Sequence, residues 1–219
     1  MNVDWLFFDV GGPLVHDSRI VEQNVMIDLR VLQQYLPDIT QQDIVDARPK
    51  ASGMLGKIEK NLVHMFLKDK VLADKAYQEI EQEKAGLPSY LDSVIVRKEA
   101  ADICSELSKR YKLGLIANQH SGVKKLLSDV GILQHFTHQK VSHDYGLIKP
   151  DPEYYRAVLK DTGADPLRSV MIDDNIERSL MPAKKFGMKT VWYKLEDRAG
   201  DPTVIDYTIL KLEDLLSIF

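Results

Sequence analysis

The sequence predicts an α/β fold: a parallel sheet flanked by helices, with a helical insert near its start. Three observations carry this. From about residue 96 onward, short apolar runs alternate with segments of helical periodicity. One apolar run, Trp5-Leu6-Phe7-Phe8, stands apart at the beginning and stops at Asp9. Between them, residues 18–90 hold apolar residues at helical spacing, sparse glycine and no good strand run. The expected division is a core of residues 1–16 and 93–219 and a helical domain of residues 17–92.

Each element has its own signal. Residues 5–8 are apolar in succession, as a central strand buried on both faces must be. Gly11-Gly12-Pro13 follows as a tight turn. In the insert, Val25, Leu29, Leu32 and Leu36 share one helical face, and Leu62, Met65 and Phe66 another. Pro37-Asp38-Ile39-Thr40 marks a turn and a helix start, while Arg48-Pro49 and Ala85-Gly86-Leu87-Pro88 are expected to break the pattern. The insert is thus a bundle of roughly four helices. Beyond it the expected order is helix 99–110, strand 113–117, helix 122–130, strand 136–142, helix 152–162 and strand 169–172, which ends at Asp173-Asp174. A helix over 180–186 closes at Gly187, the usual place for a C-terminal glycine. Strand 189–193, an edge strand over 207–210 and a terminal helix over 212–218 complete the chain.

Composition narrows the function. The chain has 219 residues, 44% hydrophobic and 28% charged, enough for a sizeable core without staples. Its formal net charge is −4 and no basic stripe runs along it, which disfavours nucleic-acid binding. Cys104, the single cysteine, allows no intrachain disulfide and sits where a helix faces the core. The first residues lack a basic leader, and no apolar stretch approaches a membrane span. A cytoplasmic protein with no membrane partner is expected; the sequence leaves its oligomeric state open.

In parallel sheets ligands bind beyond the carboxyl ends of the strands. Two strands end there in carboxylates, Asp9 and Asp173-Asp174. Adjacent carboxylates repel unless a cation lies nearby, so the three together suit an oxygen-rich Mg²⁺ site. A turn-capping aspartate and a helix start decorated with acids are the plainer alternatives. Lys149, framed in Lys149-Pro150-Asp151-Pro152, can reach the same edge and neutralise it, or simply be a solvated lysine. Asn118 follows the 113–117 strand, where its amide and the turn N–H groups can bind phosphate oxygens, or where it is a common turn residue.

The order of these motifs resembles the haloacid dehalogenase superfamily. Phe7-Phe8-Asp9-Val10-Gly11-Gly12-Pro13-Leu14-Val15 looks like its first motif and Leu115-Ile116-Ala117-Asn118-Gln119 like its second. Lys149-Pro150-Asp151-Pro152 looks like the third. Ile172-Asp173-Asp174-Asn175, running on to Gly187, looks like the fourth. The resemblance implies a Rossmann-like core with a helical cap domain. It implies that Asp9 is the nucleophile toward a small phosphorylated substrate, through an aspartyl-phosphate. Mg²⁺ is then held by Asp9, the Gly11 carbonyl and Asp174, with Asp173 near or behind. Lys149 balances charge, and Asn118, Gly12 and Gln119 hold the phosphoryl group.

Three departures bear on chemistry. The family's general acid/base aspartate, two residues after the nucleophile, is Gly11 here; the second-motif hydroxyl is lost at Ala117; and the usual first-motif threonine is Pro13. His16, His120 or a residue of the helical insert is a candidate surrogate for the missing proton donor, a solvated surface histidine being the plainer reading of each. Two other readings stay open. One is a binding or regulatory module of the same fold that does little chemistry. The other is a 2-haloacid dehalogenase, which needs no metal and so leaves Asp173-Asp174 unexplained.

Overall fold

The structure, a computed structural model, describes residues 2–219. Along the chain, β1 (Trp5–Phe8) and β2 (Val15–His16) come first. Then follow α1 (Ser18–Leu32), α2 (Gln41–Ser52), α3 (Ile58–Phe66), α4 (Lys70–Ala85) and the one-turn α5 (Tyr90–Ser93). Next come β3 (Ile95–Val96), α6 (Ala100–Ser108), β4 (Lys112–Leu115), α7 (Val123–Asp129), β5 (Phe136–His138), α8 (Ser142–Tyr145) and α9 (Pro152–Thr162). The last are β6 (Ser169–Asp173), a π-helical turn (Ile176–Leu180), α10 (Met181–Lys185), β7 (Lys189–Tyr193), β8 (Tyr207–Ile209) and α11 (Leu215–Ile218). The chain forms two compact units, one of Met1–His16 with Ile95–Phe219, the other of Asp17–Val94.

The first unit is the expected α/β layer. Its sheet has six strands in the order β5-β4-β1-β6-β7-β8, all parallel. The chain builds one side from β1 through β4 to β5, then returns to β1's other side with β6, so the order reverses at β1. Such a switch point opens a crevice beyond the carboxyl ends of the strands. Every residue of β1 is buried, as its unbroken apolar run requires. Gly114 admits the Phe7 ring: a Cβ there would stand 2.6 Å from Phe7 Cε1. Trp5 stacks on Phe7 at 5.3 Å, and Tyr154, Tyr155, Met171 and Trp192 fill the same core.

The second unit is a bundle with its own core, built on Val31, Leu32, Ile44, Leu62, Ala76 and Ile80. Thr40 caps α2 through a reciprocal pair with Asp43, a device worth about 1 kcal/mol. Each long helix also sends one charged side chain inward. Arg48 of α2 meets the fully buried Asp28 of α1 at 2.6 Å, Lys84 of α4 meets Glu59 of α3 at 2.6 Å, and Lys84 lies 3.9 Å from Asp28. Burial pushes Asp28 up to about 6, against the pull of Lys84 and Arg48.

Four expectations need correction. Pro49 does not break the helix: α2 runs through it to Ser52. The proline forfeits one backbone bond near the helix end, but its neighbour Arg48 is anchored on Asp28, and the Pro49 carbonyl accepts from Ser52 Oγ and Gly53 N–H. The 136–142 strand stops at His138, because Asp144 accepts the Val141 N–H and starts α8 at Ser142. The 113–117 strand ends its ladder at Leu115. The helix over 180–186 opens as a π turn at Ile176 before α10. Among the described residues no helix is long and apolar enough to cross a membrane.

Candidate active site

Register brings the carboxylates together. β1 pairs β6 with Phe8 opposite Ile172, so Asp9 and Asp173 leave neighbouring strands side by side. The Asp9 N–H still donates to the Ile172 carbonyl at 3.0 Å, which fixes the backbone just where the strand ends. One oxygen each of Asp9, Asp173 and Asp174 lie within 4.8 Å of one another. Asp9 and Asp173 are buried and Asp174 half-buried.

Lys149 is not a surface residue. It is fully buried, with Nζ 2.6 Å from Asp173 Oδ2 and 3.1 Å from Asp9 Oδ1. A buried ammonium persists only where carboxylates compensate its lost hydration. Asp173 shows the other half of that bargain: burial opposes its ionisation, yet Lys149 and Arg178 hold it below the usual carboxylate range. Asp9 goes the other way. Burial and the neighbouring Asp173 push it up to about 6, against Lys149 and Arg178. Asp173 is also held by the Asn175 N–H at 2.8 Å, so its oxygens serve the protein more than a ligand.

The phosphoryl-binding candidates have other duties. Asn118 donates its amide N–H to the Lys149 carbonyl at 3.0 Å and accepts the Lys149 N–H at 2.7 Å. Its side chain therefore seats Lys149. The Gln119 N–H donates to Ser142 Oγ at 2.9 Å. The Gly12 N–H donates to the Val15 carbonyl at 3.0 Å. At φ +80°, and with a Cβ that would lie 2.7 Å from Asp174 Cγ, a side chain at Gly12 would be strained and would push on Asp174. Gly11 bridges to Val15 at the mouth of the same loop.

His16 Nε2 lies 3.1 Å from Arg97 Nη1, so it accepts that proton and carries its own on Nδ1. His120 is exposed, its ring 5.2 Å from that of His143.

Sequence reasoning missed three residues at this edge. Trp192, at the end of β7, donates Nε1–H to the Asp174 carbonyl at 3.0 Å. Arg178, on the π turn after Asp174, adds a second cation that favours ionised Asp9 and Asp173. Arg97, buried after β3, donates Nε–H to the Gly12 carbonyl at 2.6 Å. Only Trp192 carried a signal, as an aromatic at a strand end beside the acidic pair.

A donor set of carboxylate oxygens suits a hard divalent cation such as Mg²⁺ rather than a soft metal. Three carboxylates and a buried lysine thus gather at the switch point of a parallel α/β sheet, where such folds bind their ligands. The match that places the protein is to the haloacid dehalogenase-like hydrolase family, over residues 3–187, and the chain belongs to that family. The glyceraldehyde 3-phosphate phosphatase of Pyrococcus furiosus is 32% identical over 38% of this chain, which spans only 36% of that protein's length. Pyrophosphatase PpaX of Bacillus velezensis is 26% identical over 99% of this chain and 96% of its own. The HAD-hydrolase YfnB of Bacillus subtilis, solved bound to magnesium, shares the fold with a TM-score of 0.61 at 20% identity, over 100% of this chain and 99% of its own.

Proposed function

We propose that this chain is a Mg²⁺-dependent phosphohydrolase that works through an aspartyl-phosphate on Asp9. The observation that carries the reading is Lys149, fully buried between Asp9 and Asp173 with Asp174 beside them. A scaffold has little use for a cation stationed there.

Asp9, Asp174 and the Gly11 carbonyl are the residues to hold Mg²⁺, with Asp173 behind them. When bound, the ion screens the negative charge of the phosphoryl group and the carboxylates. An Asp9 oxygen attacks phosphorus, and the bond to the leaving oxygen breaks with its electron pair. Water then attacks the same phosphorus and releases the Asp9 carboxylate and inorganic phosphate. Lys149 keeps Asp9 ionised and balances the charge that gathers during attack.

Gly11 sets the substrate class. Without an acid at that position the leaving group departs unprotonated, a loss on the order of 10²–10⁴-fold for a poor leaving group. Anhydrides and aryl or acyl phosphates, which leave as stable anions, lose least. PpaX, one of the relatives matched over nearly their full length, is named for pyrophosphate, an anhydride, and another, YjjG of Escherichia coli, is named a pyrimidine 5′-nucleotidase. The substrate is thus a small phosphorylated molecule, in the cytoplasm, with no nucleic acid or membrane involved. On its family resemblance, the helical unit serves as a substrate-selecting cap.

The test is acid quenching during turnover of a radiolabelled acyl or aryl phosphate. Label on the chain, confined to the peptide that holds Asp9 and absent from Asp9→Asn, supports the reading. Steady turnover with no label, or label elsewhere, overturns it. The loss of side-chain donors at Gly11 and Ala117 favours a second reading, a cation-binding module with little turnover; Mg²⁺ binding without hydrolysis of any activated phosphate would select it.

A further inference from the structure

We propose that Arg97 is the positioning residue of the nucleophile loop, holding residues 10–15 in the conformation that presents Asp9 and the Gly11 carbonyl. The loop cannot hold itself. Gly11 and Gly12 offer no side chains, Pro13 has no N–H, and Gly12 stands at φ +80°. Its own bonds, from the Leu14 and Val15 N–H groups to the Val10 carbonyl and from Gly12 N–H to the Val15 carbonyl, close a tight turn but leave the Gly12 carbonyl to an outside donor.

Arg97 supplies that donor from a buried position. Its side chain is 6% exposed, a costly place for a guanidinium unless its protons are used. Nε–H goes to the Gly12 carbonyl at 2.6 Å and Nη1–H to His16 Nε2 at 3.1 Å. The guanidinium lies over the Tyr193 ring at 4.7 Å, with Glu99 at 4.0 Å. The backbone of Arg97 joins in, its N–H donating to the Leu14 carbonyl at 3.0 Å, next to the β2–β3 pairing of Val15 with Val96. Main chain and side chain of one residue thus bracket the loop from both ends.

The same contacts tie the loop to Asp174. Tyr193 follows Trp192 on β7, and Trp192 holds the Asp174 carbonyl at 3.0 Å. Gly12 packs so closely on the Asp174 carboxylate that a methyl would not fit between them. A loop released from Arg97 therefore loses a restraint on the glycine that packs against Asp174. Arg97 touches no reacting atom; it acts through the Gly12 carbonyl.

Amide hydrogen exchange on the full chain, metal-free, tests this with Arg97→Met and Arg97→Lys. The peptide covering residues 9–16 should exchange about tenfold faster or more in Arg97→Met, with Arg97→Lys intermediate, while peptides of β4 and α9 keep wild-type rates. Where only Arg97→Lys folds, faster loop exchange in that variant alone is the expected result. Wild-type exchange across residues 9–16 in every folded variant overturns the proposal.

A second readout follows Mg²⁺ binding by Trp192 fluorescence in a Trp5→Phe background, which removes the only other tryptophan. It rests on the Mg²⁺ reading above, and Arg97→Met should weaken apparent affinity about tenfold. A wild type that binds no Mg²⁺ would sink the metal reading, yet the metal-free exchange comparison would still decide the role of Arg97.

Discussion

Replacing Lys149 with methionine should expose the electrostatic logic of the site in a stability measurement alone. The lysine is fully buried, 2.6 Å from Asp173 and 3.1 Å from Asp9, and those carboxylates are 0% and 4% exposed. Methionine keeps most of the volume and removes the charge. Two buried carboxylates then face each other without their cation, a change that typically costs about 3–5 kcal/mol. The cost must depend on pH. Asp9 is already pushed up to about 6 with Lys149 present, by burial and Asp173, so in the variant it rises further. A raised carboxylate contributes stability that is present below its unfolded value, 3.8, and lost as pH rises through the folded value. Asp173, held low chiefly by Lys149 against its burial, contributes the reverse in the wild type: stability present above 3.8 and lost as pH falls. Both changes make the deficit of the variant larger at neutral pH than in acid. Urea unfolding of both proteins in chelator, at about pH 5 and about pH 7.5, reads it directly. A deficit below about 1 kcal/mol, or one equal at both pH values, would refute the pairing drawn here.

Other substitutions probe other links. Gly12→Ala places a methyl 2.7 Å from Asp174 Cγ at a positive φ; it should cost about 1–3 kcal/mol in urea unfolding and weaken Mg²⁺ binding by calorimetry. Gly114→Ala drives a methyl to 2.6 Å from the Phe7 ring and should cost about 1–3 kcal/mol, with no pH dependence. In the helical unit, burial raises Asp28 to about 6 from 3.8, so its ionisation works against folding. That contribution, at most about 3 kcal/mol, appears as pH rises from about 4 to about 6.5 and is missing in Asp28→Asn. The stability of wild type minus that of Asp28→Asn should therefore fall across this window, and a difference that rises would contradict the burial argument.

The fold was legible where local signals and tertiary demands agree. Residues 5–8, 152–162 and 189–193 are the elements their patterns predict, because unbroken apolar runs or paired prolines leave one solution. The carboxylates were legible for a topological reason: a strand ending in aspartate at the binding edge of a parallel sheet has few alternatives. The misses are of another kind. β2 and β3 are two residues each, too short for any period, and exist only because Val15 and His16 meet Val96 and Ile95 across the fold. Helix α2 outlasts Pro49 through a long-range ion pair with Asp28 that no local rule contains. Asn118 and Lys149 were both identified, but their mutual hydrogen bonds join positions 31 residues apart, so the asparagine's part in seating the lysine was invisible. Arg97 was missed for the same reason, since its partners Gly12, His16 and Tyr193 lie far from it along the chain.

The central claim is that Asp9 acts as a nucleophile beside a bound cation. It is tested most directly by hydrolysis of an activated aryl phosphate by wild type and Asp9→Asn, each with and without Mg²⁺. Turnover confined to wild type with Mg²⁺ is the result predicted. Turnover that survives in Asp9→Asn, or that is indifferent to chelation of the metal, would contradict it.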